Sequence, residues 1–333
     1  MKVFVTGASG FVGSTLCDEL TRQGHEVLAL MRKASKRGHL TNAKYTSVEG
    51  DLRDKNSLIS ALKEVDVIFH VAGVIAAKNK EDFFASNVEG TKNLAEAAAS
   101  LGSCLKRFVY VSSLAAGGPP NIGSKRIESD EPKPVSWYGE SKLAGELELK
   151  KIGTKLPSVI IRPPAVYGPR DRGIFTFFET INRGISPVIG MERPDPRRYS
   201  FVHVEDLVQG ILAAAFVSKE IPSGEIFYVS GDGEFSWEEM MEKIALALEK
   251  KTFRVPLPIP LMKAAAAFCT AYTNATGKLL PLSMDKIKEL EAMAWTCSNE
   301  KAKKELNFTP YWDLEKGLRQ TARWYRENGW LKA

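Results

Sequence analysis

Residues 6–13 read Thr-Gly-Ala-Ser-Gly-Phe-Val-Gly, and this stretch decides the fold of the 333-residue chain. The apolar run Lys2–Thr6 before it predicts a core strand, and Gly10–Gln23 predicts the amphipathic helix that follows. Gly7 would allow a tight turn, Gly10 would let the backbone approach a pyrophosphate, and Gly13 would let the helix pack close to the strand. We therefore expect a dinucleotide to bind here, although a purely structural turn is the alternative. The expected contacts are Gly7, Ser9, Gly10, Phe11, Val12 and Gly13.

Outward from this turn, short apolar runs alternate with longer amphipathic ones. The predicted strands are Lys2–Thr6, Glu26–Met31, Tyr45–Glu49, Val65–His70, Arg107–Ser112, Ser158–Arg162 and Ile226–Val229. The predicted helices between them are Gly10–Gln23, Asn56–Val65, Thr91–Ser100 and Tyr138–Gly153. Such alternation predicts an α/β fold of the Rossmann type, in which a doubly wound parallel sheet is covered by helices on both faces.

After Tyr167 the pattern becomes mostly helical. The helices predicted there are Phe175–Arg183, Trp237–Leu248, Met262–Tyr272, Asp285–Met293, Glu300–Leu306 and Leu314–Asn328. We expect residues 1–167, with about 201–231, to form the dinucleotide-binding domain. Residues 168–200 and 232–333 would form a smaller, mostly helical substrate-binding domain. The apolar segment Phe253–Tyr272 predicts either the lining of an apolar pocket or ordinary core, and a membrane-lying helix is a less favoured alternative.

Composition narrows the classes of partner. Apolar residues make up 44% of the chain and charged residues 26%, which is typical of a globular protein. Basic residues exceed acidic ones by 46 − 40 = 6, but no basic patch is interleaved with aromatic residues, so we expect no nucleic-acid partner. The most apolar stretch, Leu257–Leu282, is interrupted by prolines and lysines, which argues against a transmembrane segment.

The four cysteines, Cys17, Cys104, Cys269 and Cys297, show no CxxC spacing and no neighbouring histidine pair. This pattern indicates neither a metal site nor a disulfide framework. It favours a reducing compartment, and we expect a cytoplasmic location.

The end of the second predicted strand bears on the type of cofactor. NAD-binding sites place an acidic residue there to hold the ribose 2′-hydroxyl. Here the strand ends at Met31-Arg32-Lys33, and Arg32 could instead pair with a 2′-phosphate. The sequence therefore favours NADP over NAD, with a solvated basic loop as the alternative.

A tyrosine and a lysine occur four residues apart at the start of a predicted helix. This spacing places Tyr138 and Lys142 on one helix face, where the ammonium would lower the pKa of the phenol. Ser113, at the end of the strand Arg107–Ser112, would complete the set by hydrogen bonding the substrate oxygen, and Ser112 is the alternative. The three residues predict acid–base chemistry beside the dinucleotide.

Several motifs occur together in one order and spacing. They are Thr6–Gly13 as TGxxGxxG, Gly50-Asp51-Leu52, His70-Val71-Ala72-Gly73, Asn87–Thr91, Val111-Ser112-Ser113, Tyr138–Lys142, Arg162–Gly168 and Ser200–Leu207. The chain thereby resembles the extended short-chain dehydrogenase/reductase superfamily, which is epimerase/dehydratase-like, and within it the reductase and 3β-hydroxysteroid dehydrogenase side. The resemblance covers nearly the whole chain.

The resemblance implies a role for each matching residue. Asp51 and Leu52 would contact the adenine, while Val71, Ala72 and Gly73 would line the cofactor. Tyr138 would be the catalytic acid/base, assisted by Lys142 and Ser113, and Lys142 would also hold the ribose. Pro163 would lie beside the nicotinamide. The resemblance also implies a homodimer through two helices of each subunit, Phe83–Ser100 and Tyr138–Gly153.

Three functions remain open, two of them catalytic. Ser113 is followed by Leu114-Ala115-Ala116 and not by an Asp-Glu pair, which disfavours dehydration. Tyr199 stands where nucleotide-sugar enzymes carry an arginine, with Arg197 and Arg198 out of register. We therefore prefer an oxidoreductase acting on a secondary alcohol or ketone. The alternatives are an epimerase with transient oxidation and a non-catalytic dinucleotide binder.

Overall fold

The computed structural model describes residues 1–33, 37–40, 43–192 and 195–332. Strands and helices alternate along its first half. They are β1 (Lys2–Thr6), α1 (Phe11–Arg22), β2 (Glu26–Met31), β3 (Thr46–Glu49), α2 (Lys55–Ala61), β4 (Val67–His70), α3 (Lys80–Phe84), α4 (Gly90–Ala99), β5 (Arg107–Val111), α5 (Leu114–Gly117), α6 (Trp137–Ile152), β6 (Ser158–Arg162) and β7 (Ala165–Tyr167). A π-helical turn, Ala85–Glu89, joins α3 to α4 without a break.

The second half is richer in helices. Its elements are α7 (Phe175–Asn182), β8 (Ile185–Ile189), β9 (Arg198–Tyr199), β10 (Phe201–His203), α8 (Val204–Phe216), β11 (Glu225–Tyr228), α9 (Trp237–Leu248), β12 (Phe253–Leu257), α10 (Ile259–Thr276), α11 (Met284–Glu291), β13 (Ala294–Trp295), α12 (Glu300–Leu306) and α13 (Leu314–Glu327). The predicted helices all recur here, although α10 extends beyond the predicted Met262–Tyr272 at both ends.

The central sheet has seven parallel strands in the order β11-β6-β5-β4-β1-β2-β3. Each corresponds to a strand predicted from the sequence, so the doubly wound parallel α/β sheet is confirmed. The strands that follow β1 extend the sheet first to one side, through β2 and β3, and then to the other, through β4, β5 and β6. The crevice where this direction reverses lies at the carboxyl ends of β1 and β4, where such sheets bind ligands.

Both faces of the sheet are buried. Val3 and Val5 of β1 point into one apolar cluster with α1 and α8, while Phe4 points into the other with α2, α4 and α6. This alternation follows from the two-residue period of a strand. Ala302 and Leu306 of α12 also join the α1–α8 side, although the sequence prediction had grouped this helix with the substrate-binding part.

The mostly helical part has its own core. Phe178 of α7, Met240 of α9, and Leu318 and Tyr325 of α13 pack together in one buried cluster. Three pairs of short parallel strands connect segments that are distant in the sequence. They are β7 with β10, β8 with β12, and β9 with β13. The sequence analysis did not predict these pairs, since each joins brief segments far apart in the chain and lacks a repeating apolar pattern.

Helix α10 is the element that departs most from expectation. Of its eighteen residues only Ala266 and Thr273 are buried, while Leu261 and Phe268 are 62% and 70% exposed. The segment Phe253–Tyr272 is therefore not ordinary core, because none of its large apolar side chains is buried. Within the described ranges, no helix combines the length and the apolarity needed to cross a bilayer.

Candidate active site

The glycine-rich turn between β1 and α1 forms a cradle of bare backbone. Gly7 has φ +70°, and a Cβ added there would lie 2.7 Å from Ala72 N. A Cβ on Gly13 would lie only 2.1 Å from Gly7 O, so the start of α1 rests directly on the turn. Gly10 caps α1 without a side-chain hydrogen bond, which leaves the first backbone N–H groups of the helix available. Such a cradle fits the pyrophosphate of a dinucleotide.

The ends of β2 and β3 border a cavity beside this cradle. The cavity has a volume of about 660 Å³, and nine of the described residues line it. Four of them, Arg32, Lys33, Arg37 and Lys44, are basic, whereas Glu49 is the one acid among them. Of this basic group, only Arg32 was predicted from the sequence as a contact to the cofactor.

Asp51 and Leu52 follow β3 close to this cavity. The Asp51 carboxylate accepts hydrogen bonds from Arg53 Nε at 3.1 Å and Nη2 at 2.7 Å. These bonds, assisted by the charge of Arg32, lower the pKa of Asp51 to about 2. Leu52 contacts the start of α4, because a Cβ on Gly90 would lie 3.2 Å from its own.

The loop after β4 carries Val71, Ala72 and Gly73 past the cradle. Ala72 N donates to Thr6 Oγ1 at 3.2 Å, which ties this loop to β1. Asn87, in the π-helical turn, accepts from Val74 N at 2.8 Å and donates to Ser141 Oγ at 2.9 Å. Asn87 therefore holds the loop against α6, a role that the sequence analysis did not identify.

Helices α5 and α6 bring Ser113 and Tyr138 together. Ser113 caps α5 by accepting from Ala115 N at 3.1 Å. It also lies close enough to the Tyr138 hydroxyl to act against the rise in the phenol's pKa. The close approach depends on Gly139, since a Cβ there would lie 2.4 Å from Ala115 O. Ser112, the alternative in the sequence analysis, points the other way and donates to Glu146 Oε1 at 2.5 Å.

The electrostatics of Tyr138 differ from expectation. Burial raises the pKa of Tyr138 to about 12, and the neighbouring Ser113 side chain only partly opposes this. We had expected the Lys142 ammonium to lower the pKa. Instead, Lys142 donates from Nζ to Val111 O at 2.7 Å, and Nζ lies 4.3 Å from the centre of the Tyr110 ring. Desolvation therefore dominates over the ammonium in this arrangement.

The pKa of Lys142 is also strongly shifted. It is 3% exposed, and burial lowers its pKa to about 7 against the opposing charge of Glu146. Behind it, the Glu146 carboxylate accepts from Arg162 Nε at 2.9 Å and Nη2 at 2.6 Å. Arg162 also donates from Nη1 to Tyr228 Oη at 3.0 Å. The sequence analysis missed this buried network, although Glu146 follows Lys142 by four residues on the same helix.

Helix α11 is hydrogen bonded to the amino-terminal end of α6. Trp137 N donates to Asp285 Oδ2 at 3.0 Å, and Ser136 Oγ donates to Glu289 Oε1 at 2.6 Å. The charge of Glu289 also contributes to the raised pKa of Tyr138. No sequence pattern indicated these contacts, because they join residues about 150 positions apart.

The remaining candidates have well-defined surroundings. Pro163, after β6, accepts from Leu114 N at 2.8 Å beside the start of α5. His70 is buried between Thr6 Oγ1 and Thr91 Oγ1, at 2.7 and 2.9 Å, and burial lowers its pKa to about 3. His203 caps α8, and burial lowers its pKa to about 4.

Tyr199, Arg197 and Arg198 are the residues that the sequence raised in connection with a nucleotide-sugar substrate. Tyr199 is 8% exposed, and within the described residues its hydroxyl has no hydrogen-bond partner. Arg197 donates from Nη1 to Ile189 O and to Asp195 Oδ1, both at 2.8 Å. Arg198 donates to Asp195 O at 2.9 Å. Both arginines are thus engaged in holding their own loop.

Comparison with known proteins gives a consistent picture. Residues 3–230 match the model of the "NAD dependent epimerase/dehydratase family". The ceramide reductase of Caulobacter vibrioides is 31% identical over 329 residues, which cover 99% of this chain and 96% of that protein. The UDP-glucose 4-epimerase of Vibrio cholerae is 28% identical, over 96% of this chain and 94% of that protein. The crystal structure of gox2253 superposes with a TM-score of 0.81 at 26% identity, over 99% of both chains.

Proposed function

This chain belongs to the NAD-dependent epimerase/dehydratase family, and from that membership we propose that it is an oxidoreductase acting on a secondary alcohol or ketone. Tyr138 would exchange the proton of the substrate oxygen. The observation that carries the proposal is the close approach of α5 and α6 at Gly139, which places Ser113 beside Tyr138 at the edge of the sheet where the glycine cradle lies. The match to a ceramide reductase supports the reductase side of the family.

The proposed chemistry uses residues already described. A bound nicotinamide supplies hydride exchange at its C4. Because the pKa of Tyr138 is about 12, its hydroxyl is protonated at neutral pH and can donate to the oxygen of a ketone as an alcohol forms. Ser113 would hold that oxygen within reach of Tyr138.

Replacing the phenol hydroxyl tests this role. We expect Tyr138→Phe to lower kcat for reduction of long-chain and sterol ketones by about 10²–10⁴-fold, because the proton donor is lost. The affinity for the reduced cofactor should be unchanged. The absorbance of the reduced cofactor measures its oxidation, which is compared with the amount of product formed. Tyr311→Phe, at an exposed surface position, is the control and should keep full activity. Full biological activity of Tyr138→Phe would favour a non-catalytic dinucleotide binder instead.

We further propose that the enzyme prefers NADP, although the family description names NAD. The support is the basic lining of the cavity beside β2, where Arg32 is joined by Lys33, Arg37 and Lys44. A 2′-phosphate carries the charge and the acceptor oxygens that such a lining recognises. The turn residues Gly7, Gly10 and Gly13, together with the loop after β4, would hold the rest of the cofactor.

The cofactor preference can be measured directly. We expect Arg32→Ala to raise KM for NADPH by about tenfold or more, because a hydrogen bond to a charged group is lost, while KM for NADH stays nearly constant. Steady-state kinetics with each cofactor provide the measurement, and Arg323→Ala, on the exposed surface, is the control. Equal loss with both cofactors would contradict a 2′-phosphate contact.

An epimerase with transient oxidation is the second candidate, supported by the match to a UDP-glucose 4-epimerase. Against it, Arg197 is committed to Asp195 and Tyr199 offers no positive charge to a diphosphate. Native mass spectrometry of the purified protein distinguishes the two. A tightly retained cofactor, with UDP-glucose epimerised and no net oxidation or reduction, would select the epimerase.

Two organisational proposals accompany the reaction. Residues 1–167 with about 201–231 would bind the dinucleotide, and residues 168–200 and 232–333 would bind the substrate. Two protomers would pair through α6 and the helical stretch from residue 80 to residue 99. The exposed Leu147 on α6 is consistent with such a contact. The same mass spectrum reports the number of subunits.

A further inference from the structure

The outer side of α10 carries an exposed apolar stripe, which we define as Leu261, Ala265, Phe268 and Tyr272. Their spacing of four, three and four residues places them along one face of the helix. All four are exposed, and Phe268 is 70% exposed. A surface helix normally turns its large apolar residues inward, so this face is the reverse of the usual arrangement.

Exposed apolar residues also flank the helix. Phe253, in the strand that precedes α10, is 77% exposed, and Leu279, just after it, is 45% exposed. The helix is nevertheless anchored to the fold, because Lys263 Nζ pairs with Glu291 Oε1 at 2.5 Å and Met284 N donates to Thr270 Oγ1 at 3.1 Å. The stripe is therefore presented on a fixed support.

The charge of this segment has one sign. From Lys250 to Met284 the sequence contains five basic residues, Lys250, Lys251, Arg254, Lys263 and Lys278, and no aspartate or glutamate. Lys250, Lys251 and Lys278 are exposed. Arg254 and Lys263 are offset by ion pairs with Glu238 and Glu291, so the positive charge at the border of the apolar face comes from Lys250, Lys251 and Lys278. An apolar face bordered by exposed lysines complements a surface that is apolar inside and anionic at its rim, as an acidic bilayer is.

We propose that the apolar stripe of α10 docks on the surface of an anionic lipid bilayer. The helix would lie in the interface with Leu261 and Phe268 among the acyl chains and the lysines against the lipid headgroups. A second copy of this chain fits the stripe less well, because a symmetric pairing through α10 would bring the basic residues of both copies together. The proposal does not depend on which reaction the site catalyses.

Sedimentation of the full-length protein with vesicles tests the proposal. We expect binding to phosphatidylcholine vesicles containing phosphatidylglycerol, weaker binding to phosphatidylcholine alone, and a decrease with added salt. Phe268→Glu should lower the partition coefficient by about tenfold or more, because an aromatic side chain would no longer be buried in the bilayer when the protein binds. Lys251→Gln and Lys278→Gln should each lower it by about fivefold.

Matched variants complete the experiment. Leu246→Glu, on the exposed surface of α9, and Lys63→Gln should bind vesicles as the unchanged protein does. Urea unfolding confirms that each variant is folded, and binding requires no substrate, so a failed activity assay leaves the result intact. Absence of binding to acidic vesicles, or equal binding by Phe268→Glu, would overturn the proposal. So would a change from dimer to monomer in Phe268→Glu by light scattering, since the stripe would then be a protein interface.

Discussion

At the scale of single residues, the buried pair Arg162–Glu146 is the feature on which most of the site rests. Both side chains are 1% exposed, and two hydrogen bonds join them. Glu146 also accepts a hydrogen bond from Ser112, and Arg162 also donates one to Tyr228. Ser112 comes directly before Ser113, and Glu146 raises the pKa of Lys142 against burial. The pair thus supports two of the three candidate catalytic residues from behind.

Removing one charge of this pair should be costly. We expect Glu146→Gln to lower the free energy of unfolding by about 3–5 kcal/mol, because the Arg162 guanidinium would remain buried without its counter-ion. It should also lower the pKa of Lys142 further. Urea unfolding gives the first quantity. Glu148→Gln, which breaks an exposed pair with Lys151 on the same helix, should cost under about 1 kcal/mol, and a similar loss in both variants would contradict the interpretation.

The sequence could reveal some of these residues and not others. Gly7, Gly10 and Gly13 were recognisable because their spacing reports a local backbone requirement. Tyr138 and Lys142 were recognisable because helical geometry fixes which neighbours share a face. Asp285 and Glu289 carry no such signal, since only the tertiary fold brings them to the start of α6. The direction of the Tyr138 pKa was missed for the same reason, because burial is not visible in a spacing.

At the scale of secondary-structure elements, the contact between α5 and α6 sets the position of Tyr138. We expect Gly139→Ala to lower kcat by about tenfold to a hundredfold, because a Cβ 2.4 Å from Ala115 O would push the helices apart and lengthen the Ser113–Tyr138 contact. KM for the cofactor should change little. Lys150→Ala, on the exposed side of α6, is the control. Unchanged kcat in Gly139→Ala would mean that the spacing of these helices is not critical.

The elements also show what a periodic pattern can predict. All seven sheet strands were found, because buried parallel strands are continuous β-branched runs. The predicted helix Thr91–Ser100 coincides with α4, Gly90–Ala99, to within one residue, whereas α3 and the π-helical turn Ala85–Glu89 before it were not part of that predicted helix. For α10 the sequence showed that the helix is apolar. It could not show whether the apolar side chains face the core or the outer surface.

At the scale of the whole molecule, buried neutral histidines couple folding to pH. Burial lowers the pKa of His203 to about 4, below the value of about 6.5 for an unfolded chain. The unfolded state therefore binds the proton first, and stability falls as the pH drops from about 6.5 towards 4. We expect the free energy of unfolding of His203→Asn, which preserves a capping side chain, to fall by about 3 kcal/mol less over this pH range than that of the unchanged protein.

Urea unfolding measured at several pH values gives the comparison. Above pH 7 the difference in unfolding free energy between the two proteins should be constant, because the histidine is neutral in both the folded and unfolded states. Curves that stay parallel down to pH 4 would show that His203 is not the titrating group.

The place of β11 in the sheet constrains how the molecule can be divided. This strand comes from residues 225–228, yet it pairs along the whole of β6 and forms one border of the seven-stranded sheet. A fragment ending at Tyr167 would expose β6 as an unprotected edge, rich in Val and Ile and open to intermolecular strand pairing. The half of the chain that carries the glycine-rich turn is thus interleaved with the rest, and shortening the protein to residues 1–167 invites aggregation instead of yielding a smaller folded unit.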